Sequence, residues 1–131
     1  MPSIFTRIIN GEVPSIKVHE DERTLAIMDI HPIQRGQILV LPKAEIGTVW
    51  ELGQEDYQAL MSAVQSAGQK IRDAFPDKAR VGVIIEGLEV TDHAHVKVFP
   101  FSTAKEFHNI PDPMKSPSED ELKQLARQLS F

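Results

Sequence analysis

The residues best suited to chemistry in this chain are His93, His95 and Lys97, which are separated from one another by single residues. In a β-strand, alternate side chains point to the same face, so this spacing predicts one face shared by three polar groups. Burying such groups is costly unless each is paired or faces a ligand. Two imidazoles on one face can bind a metal, transfer protons, or supply a nucleophile and a group that orients it.

The residues themselves leave two other interpretations open. A metal-dependent hydrolase would need a third ligand beside His93 and His95, and His108 in the segment Glu106–Asn109 is the remaining candidate. Lys97 is a cation on the same face and disfavours a bound ion, so we expect no metal. Alternatively, neutral histidines bonded to backbone carbonyls near a sheet edge would have no function beyond structure.

A sheet must position these residues, and hydrophobic patterning predicts its elements. The clearest helix runs from Gln54 to Phe75, because apolar residues recur there at i, i+3 and i+4. A short helix is predicted after Ser3, and a last helix at about 118–129 begins with the capping pair Ser118 and Glu121. The predicted strands are Lys17–Glu20, Thr24–Ile30, Ile38–Leu41, Arg80–Ile85 and His93–Phe99. Their short connections favour an α+β fold: an antiparallel sheet of about five strands with one long helix and short flanking helices.

Length, charge and composition exclude several classes of protein. A chain of 131 residues fits one compact domain. The net charge of −5 argues against a nucleic-acid-binding protein, which needs a broad basic surface. There is no cysteine, so disulfides and thiolate metal sites are excluded. No segment approaches the length of a membrane span, and we therefore expect a cytoplasmic protein that binds no membrane.

The run from His93 to Phe99, written H-x-H-x-K-x-x, resembles the motif H-φ-H-φ-H-φ-φ of the histidine-triad (HIT) family, with Lys97 in place of the third histidine. Three further segments resemble the family in the same order: Ile4–Pro14, Val18–Pro32 and Gly36–Lys43. The four segments cover about residues 4–101. The chain is therefore identified as a single HIT domain over residues 1–131, with a C-terminal extension that carries the helix at about 118–129.

The resemblance implies an enzyme that cleaves nucleotide conjugates at the α-phosphate. His95 would attack phosphorus to give a nucleotidyl-histidine intermediate, which water or another acceptor resolves, and His93 would orient His95 by hydrogen bonding. Lys97 would stabilise charge on the phosphoryl oxygens. The expected substrates are nucleoside phosphoramidates or dinucleoside polyphosphates, and no cofactor is implied.

The resemblance also implies a binding site for a purine nucleotide or nucleotide conjugate. Asp29 would accept hydrogen bonds from the ribose hydroxyls. Taken alone, Asp29 would instead cap the turn at His31, and the apolar residues of the site would simply be core. The family's base slot corresponds to Phe5, Ile8 and Ile30. Gln37 and Thr91 complete the predicted nucleotide-binding set.

Several departures from the family pattern leave a second function open. Besides Lys97, Gln37 and Glu45 stand where many members have histidines, and Thr91 is the only hydroxyl near the position of the family's leaving-group serine. A lysine is a poor proton shuttle near neutral pH. The alternative to an enzyme is therefore a nucleotide-binding or protein-interaction module with weak turnover. In either case the family resemblance implies a homodimer.

Overall fold

The computed structural model describes residues 1–131 and contains five strands and four α-helices. The strands are β1 Lys17–Glu20, β2 Thr24–Met28, β3 Ile38–Pro42, β4 Arg80–Ile84 and β5 Val96–Phe101. The helices are α1 Ile4–Ile9, α2 Gln54–Ala74, α3 Ala104–Phe107 and α4 Glu119–Leu129, with short 3-10 turns at Val49–Glu51 and Pro113–Lys115. Helix α3 and both 3-10 turns have no counterpart in the predicted elements, because segments this short carry no periodic pattern.

The five strands form one antiparallel sheet in the order β1-β2-β3-β5-β4. The predicted α+β fold with about five antiparallel strands is confirmed. Alternating residues of the central strands separate two cores. Ile38, Val40 and Val96 pack with α2 and α4 on one face of the sheet, whereas Leu39 and Leu41 pack with Phe5 and Ile8 of α1 on the other.

Two strands differ from their predicted limits by more than one residue. Strand β5 begins at Val96 rather than His93, because the preceding backbone bonds to a loop: the N–H of Ala94 donates to the carbonyl of Ile46 at 2.7 Å. Strand β2 ends at Met28 rather than Ile30, because the chain turns at Asp29. The alternation of faces nevertheless continues through residues 93–98, with Ala94 in the core on the α2 side.

Serine caps begin the first and last helices as predicted. The hydroxyl of Ser3 accepts from the N–H of Thr6 at 2.9 Å, and that of Ser118 accepts from the N–H of Glu121 at 3.1 Å. The carboxylate of Glu121 forms an ion pair with Arg35 at 3.0 Å. Neither α2 nor any shorter helix combines the length and the apolar composition needed to cross a bilayer.

Candidate active site

His95 is held with one ring nitrogen free. Its Nδ1 lies 3.0 Å from the backbone carbonyl oxygen of His93. A carbonyl oxygen can only accept, so Nδ1 carries a proton, and in the neutral imidazole Nε2 is the nitrogen that keeps the lone pair. The contact is made by the carbonyl of His93 rather than by its imidazole. The ring of Phe5 packs edge-on against His95 at a centroid distance of 5.2 Å, which fixes the position of the imidazole further.

His93 is fully buried and bonded through both ring nitrogens. Its Nε2 lies 2.7 Å from the carbonyl oxygen of Pro42, and its Nδ1 lies 2.7 Å from the hydroxyl of Ser3. Nε2 must therefore donate, and Nδ1 accepts from the hydroxyl. Burial lowers the pKa of His93, which keeps the imidazole neutral. The side chain of His93 thus connects the first turn of α1 to the end of β3.

Glu45 extends this connection into α1. Its Oε1 accepts from the N–H of Ser3 at 2.6 Å and from the hydroxyl of Thr6 at 2.7 Å. The bond from the backbone N–H of Ser3 is the main cause that lowers the pKa of Glu45. Patterning identified Ser3 only as a helix cap and gave no role to Thr6. Contacts that bring residues 3 and 93 together leave no local signal in the sequence.

Lys97 is buried and paired with a carboxylate. Only 7 % of the residue is exposed, and its Nζ lies 2.7 Å from Oε1 of Glu86 and 3.8 Å from Oε1 of Glu89. Both glutamates belong to the connection between β4 and β5. A buried ammonium is strongly destabilising without a partner, and Glu86 supplies that partner. Neither glutamate was predicted as a site residue.

A cavity of about 590 Å³ opens beside α1, and we call it the α1 cavity. Its volume lies within the range typical of small-molecule sites. Its walls are mostly apolar and include four of the six predicted nucleotide-binding residues: Phe5, Ile8, Asp29 and Ile30. The base-slot and ribose residues predicted from sequence therefore surround one space.

Asp29 has a structural role in addition to its place in the α1 cavity. Its Oδ1 accepts from the N–H of His31 at 2.8 Å, which is the turn cap that the residue alone would predict. Its Oδ2 accepts from Nε2 of Gln37 at 2.6 Å. Gln37 is 1 % exposed and lies behind Asp29, outside the lining of the α1 cavity, while its amide oxygen accepts from Ile33. Gln37 therefore orients Asp29.

A second cavity, of about 210 Å³, lies where β4 ends and β5 approaches, and we call it the β4–β5 cavity. His95 and the predicted Thr91 both line it, together with Glu86. Trp50, from the 3-10 turn, also lines it and is 82 % exposed. The aromatic side chain was not predicted as a site residue, because no motif surrounds it.

His93 and His95 are not joined by a third possible metal ligand. No three His, Asp or Glu side chains converge to hold one ion, and the chain has no cysteine. His108 follows the end of α3 and is not brought together with His93 and His95.

Residues 10–104 match the family model of the HIT domain, and the chain belongs to the HIT family. The match spans all five strands and α2. Lys97 therefore stands inside a HIT domain.

Named relatives and a solved structure agree with this assignment. The adenosine 5'-monophosphoramidase of Schizosaccharomyces pombe is 28% identical over 134 residues, covering 99% of this chain and 97% of that protein. The protein named hit of Bacillus subtilis is 43% identical over 72 residues, or 55% of this chain, and the alignment spans 50% of its length. The crystal structure of a HIT-like protein involved in cell-cycle regulation from Bartonella henselae superposes with a TM-score of 0.84. The superposition covers 97% of this chain and 93% of that one, at 24% identity. That likeness shows the fold.

Proposed function

We propose that this protein is a hydrolase or transferase that cleaves nucleotide conjugates at the α-phosphate through a covalent nucleotidyl intermediate on His95. The observation that carries the proposal is the bond from His95 Nδ1 to the His93 carbonyl. In the neutral imidazole this bond places the lone pair on Nε2 and fixes its direction, as an attacking nitrogen requires. The name of the Schizosaccharomyces pombe relative supports a nucleoside phosphoramidate as the conjugate.

The reaction proceeds in two displacements. The lone pair of His95 Nε2 forms a bond to phosphorus while the bond from phosphorus to the leaving nitrogen breaks. The amine departs with that electron pair and takes a proton from solvent. Water then attacks phosphorus, the electrons of the N–P bond return to Nε2, and the water proton passes to solvent. The products are a nucleoside monophosphate and a free amine, and an alcohol or phosphate in place of water would make the protein a transferase.

The α1 cavity is the proposed site of the nucleoside. Phe5, Ile8 and Ile30 offer apolar surfaces to the two faces of a purine, and Phe5 also contacts His95, so base binding lies next to the reacting phosphorus. The carboxylate of Asp29 has lone pairs beyond those used by His31 and Gln37, and these can accept from the ribose hydroxyls. Thr91 lines the β4–β5 cavity, where its hydroxyl can contact the phosphoryl group or the leaving group.

Lys97 is proposed to balance the charge of the phosphoryl oxygens. It stands two residues after His95 on the same face, and its ammonium becomes available when an anionic phosphate competes with Glu86. A point charge in a buried site acts strongly on an oxyanion. Replacement by histidine tests this role: a large gain in rate for Lys97→His would show that the lysine impairs turnover.

Adenosine 5'-phosphoramidate, as the simplest conjugate, tests the enzymatic proposal. We expect release of AMP that is abolished in His95→Ala and unchanged in His108→Ala, which removes an exposed histidine outside the site. Quenching in alkali preserves a phosphoimidazole, so mass spectrometry of peptides should detect a nucleotidyl group on His95 in the first turnover. AMP release that persists in His95→Ala would refute the mechanism.

The ion pair between Lys97 and Glu86 favours a second candidate function, a nucleotide-binding module with weak turnover. In that case the charge of Lys97 stays neutralised and the phosphoryl group receives little stabilisation. Calorimetry with AMP distinguishes the two functions. Binding of AMP without detectable cleavage of any conjugate would favour the module, and cleavage that depends on His95 would exclude it.

We also propose that two copies of this chain associate through β4 and α2. Strand β4 is an edge of the sheet, and Val83 within this strand is 42 % exposed. A groove of about 340 Å³ separates β4 from α2, and Gly68 of α2 lines it. The opposite edge, β1, is occupied because the N–H of Phe131 donates to the carbonyl of Val18 at 3.0 Å. Light scattering should give a dimeric mass that Val83→Lys reduces to a monomer, and a monomeric wild type would contradict the proposal.

A further inference from the structure

We infer that this site selects conjugates whose leaving group carries no negative charge, and that Glu86 and Glu89 impose this selectivity. The inference rests on the proposed function, because it concerns what the same site accepts at phosphorus. It chooses between the two substrate types that the family resemblance leaves open, phosphoramidates and dinucleoside polyphosphates.

The first observation is the charge of the segment between β4 and β5. Residues 85–92 contain three carboxylates, Glu86, Glu89 and Asp92, and no basic residue. The ammonium of Lys97 contacts two of these carboxylates, at 2.7 and 3.8 Å. The only buried cation beside His95 is therefore already paired, and the surrounding field is negative.

The second observation is the lining of the β4–β5 cavity. Glu86 is the only charged residue among those that line it, and the facing segment 47–51 contains Glu51 but no lysine or arginine. Proteins that bind phosphate chains do so mainly with arginine, lysine and backbone N–H donors. This cavity, next to His95, has no lysine or arginine; its side chains include the carboxylate of Glu86, two threonine hydroxyls and the exposed indole of Trp50.

These charges favour one class of conjugate. A nucleoside phosphoramidate carries a single negative charge at phosphorus, which the one ammonium of Lys97 balances. A dinucleoside polyphosphate carries further phosphates beyond the α-phosphate, and these would approach Glu86 and Glu89 without a second cation to offset the repulsion. Trp50 offers an apolar face that suits an amine, and a cationic amine can also lie over its ring.

The experiment compares kcat/KM for adenosine 5'-phosphoramidate and for diadenosine tetraphosphate, in EDTA so that no divalent cation shields the phosphates. We expect the wild type to prefer the phosphoramidate. Glu86→Gln removes one charge but keeps an acceptor for Lys97, and it should reduce the preference about tenfold, a change equivalent to about 1.4 kcal/mol. Glu89→Gln should reduce it about threefold, because this carboxylate is more exposed and better screened. Asp77→Asn, before the start of β4 and at the opposite end of that strand from Glu86, is the charge-matched control and should change nothing.

Each outcome has a separate meaning. A wild type that prefers the tetraphosphate, or a preference that neither glutamine variant changes, would overturn the inference while leaving cleavage through His95 intact. Failure to release AMP from either conjugate would overturn the proposed function itself. Glu89→Gln keeps the test valid if Glu86→Gln disturbs folding, because the side chain of Glu89 is 77 % exposed.

Discussion

The hydroxyl of Ser3 supports both a helix and a buried imidazole, and its removal should therefore cost more than the loss of a helix cap. Ser3 accepts from Thr6 at the start of α1 and lies 2.7 Å from Nδ1 of fully buried His93. Loss of a serine cap costs about 1 kcal/mol. The hydroxyl of Thr6, 3.4 Å from the same nitrogen, already donates to Glu45 at 2.7 Å, so Nδ1 would lose its donor, which costs about 1–3 kcal/mol more. We expect Ser3→Ala to lower the free energy of unfolding by about 2–4 kcal/mol.

Ser118→Ala is the matched control. Ser118 caps α4 in the same way, with its hydroxyl 3.1 Å from the N–H of Glu121, but this hydroxyl is hydrogen-bonded to no buried side chain. We expect a loss of about 1 kcal/mol. Urea unfolding at pH 8 measures both variants, with His93 neutral in folded and unfolded chains, and a constant slope would show that the unfolded state is unchanged. Equal losses in the two variants would refute the energetic role assigned to the contact with His93.

Three other predictions concern pH, ribose binding and backbone conformation. Burial lowers the pKa of His93, so as the pH falls the imidazole is protonated in the unfolded chain before it is protonated in the folded one. The free energy of unfolding should therefore fall as pH decreases below about 6.5, by at most about 1.4 kcal/mol per pH unit. Urea titrations should show that His93→Gln flattens this slope. Asp29→Asn should weaken AMP binding about tenfold in calorimetry, as expected for the loss of a charged hydrogen bond. The affinity for 2',3'-dideoxy-AMP, which lacks the ribose hydroxyls, should not change. Equal losses of affinity for both nucleotides would exclude a ribose contact. Gly36→Ala should destabilise the protein more than Gly11→Ala in the same urea assay. Both glycines have positive φ, 93° and 79°, at which an alanine costs about 1–2 kcal/mol. Only at Gly36 would the added Cβ meet an atom, Phe75 Cε2 at 2.6 Å, and this clash should cost about 1–3 kcal/mol more.

The regular elements were predictable because their signals are local. The apolar stripe of α2 repeats over 21 residues, and its predicted end differs from the structure by one residue. Ser3 and Ser118 identify helix starts from a single side chain each. Strand β5 was predicted three residues too early, because alternation of side chains predicts which face a residue occupies but not whether its backbone joins the ladder.

The candidate site was predictable in its members but not in their partners. Spacing and family resemblance single out His93, His95 and Lys97. The partners of these residues come from distant segments or from a loop with no motif: Ser3 is 90 positions from His93, and Glu86 is 11 positions from Lys97. The pairing of Lys97 with Glu86 depends on the register of β4 against β5, which places Ile84 opposite Lys97 and which the sequence pattern does not specify.

Phe5 lies edge-on against both site imidazoles, with ring centroids 5.7 Å from His93 and 5.2 Å from His95. The circulating electrons of a phenyl ring produce a local magnetic field, so the carbon-bound protons of both imidazoles should resonate away from their ordinary NMR positions. A ligand that moves α1 would shift the signals of both histidines together. A ligand that contacts only His95 would shift one. The protein thus contains an unlabelled spectroscopic reporter that separates movement of the helix from contact with the ring.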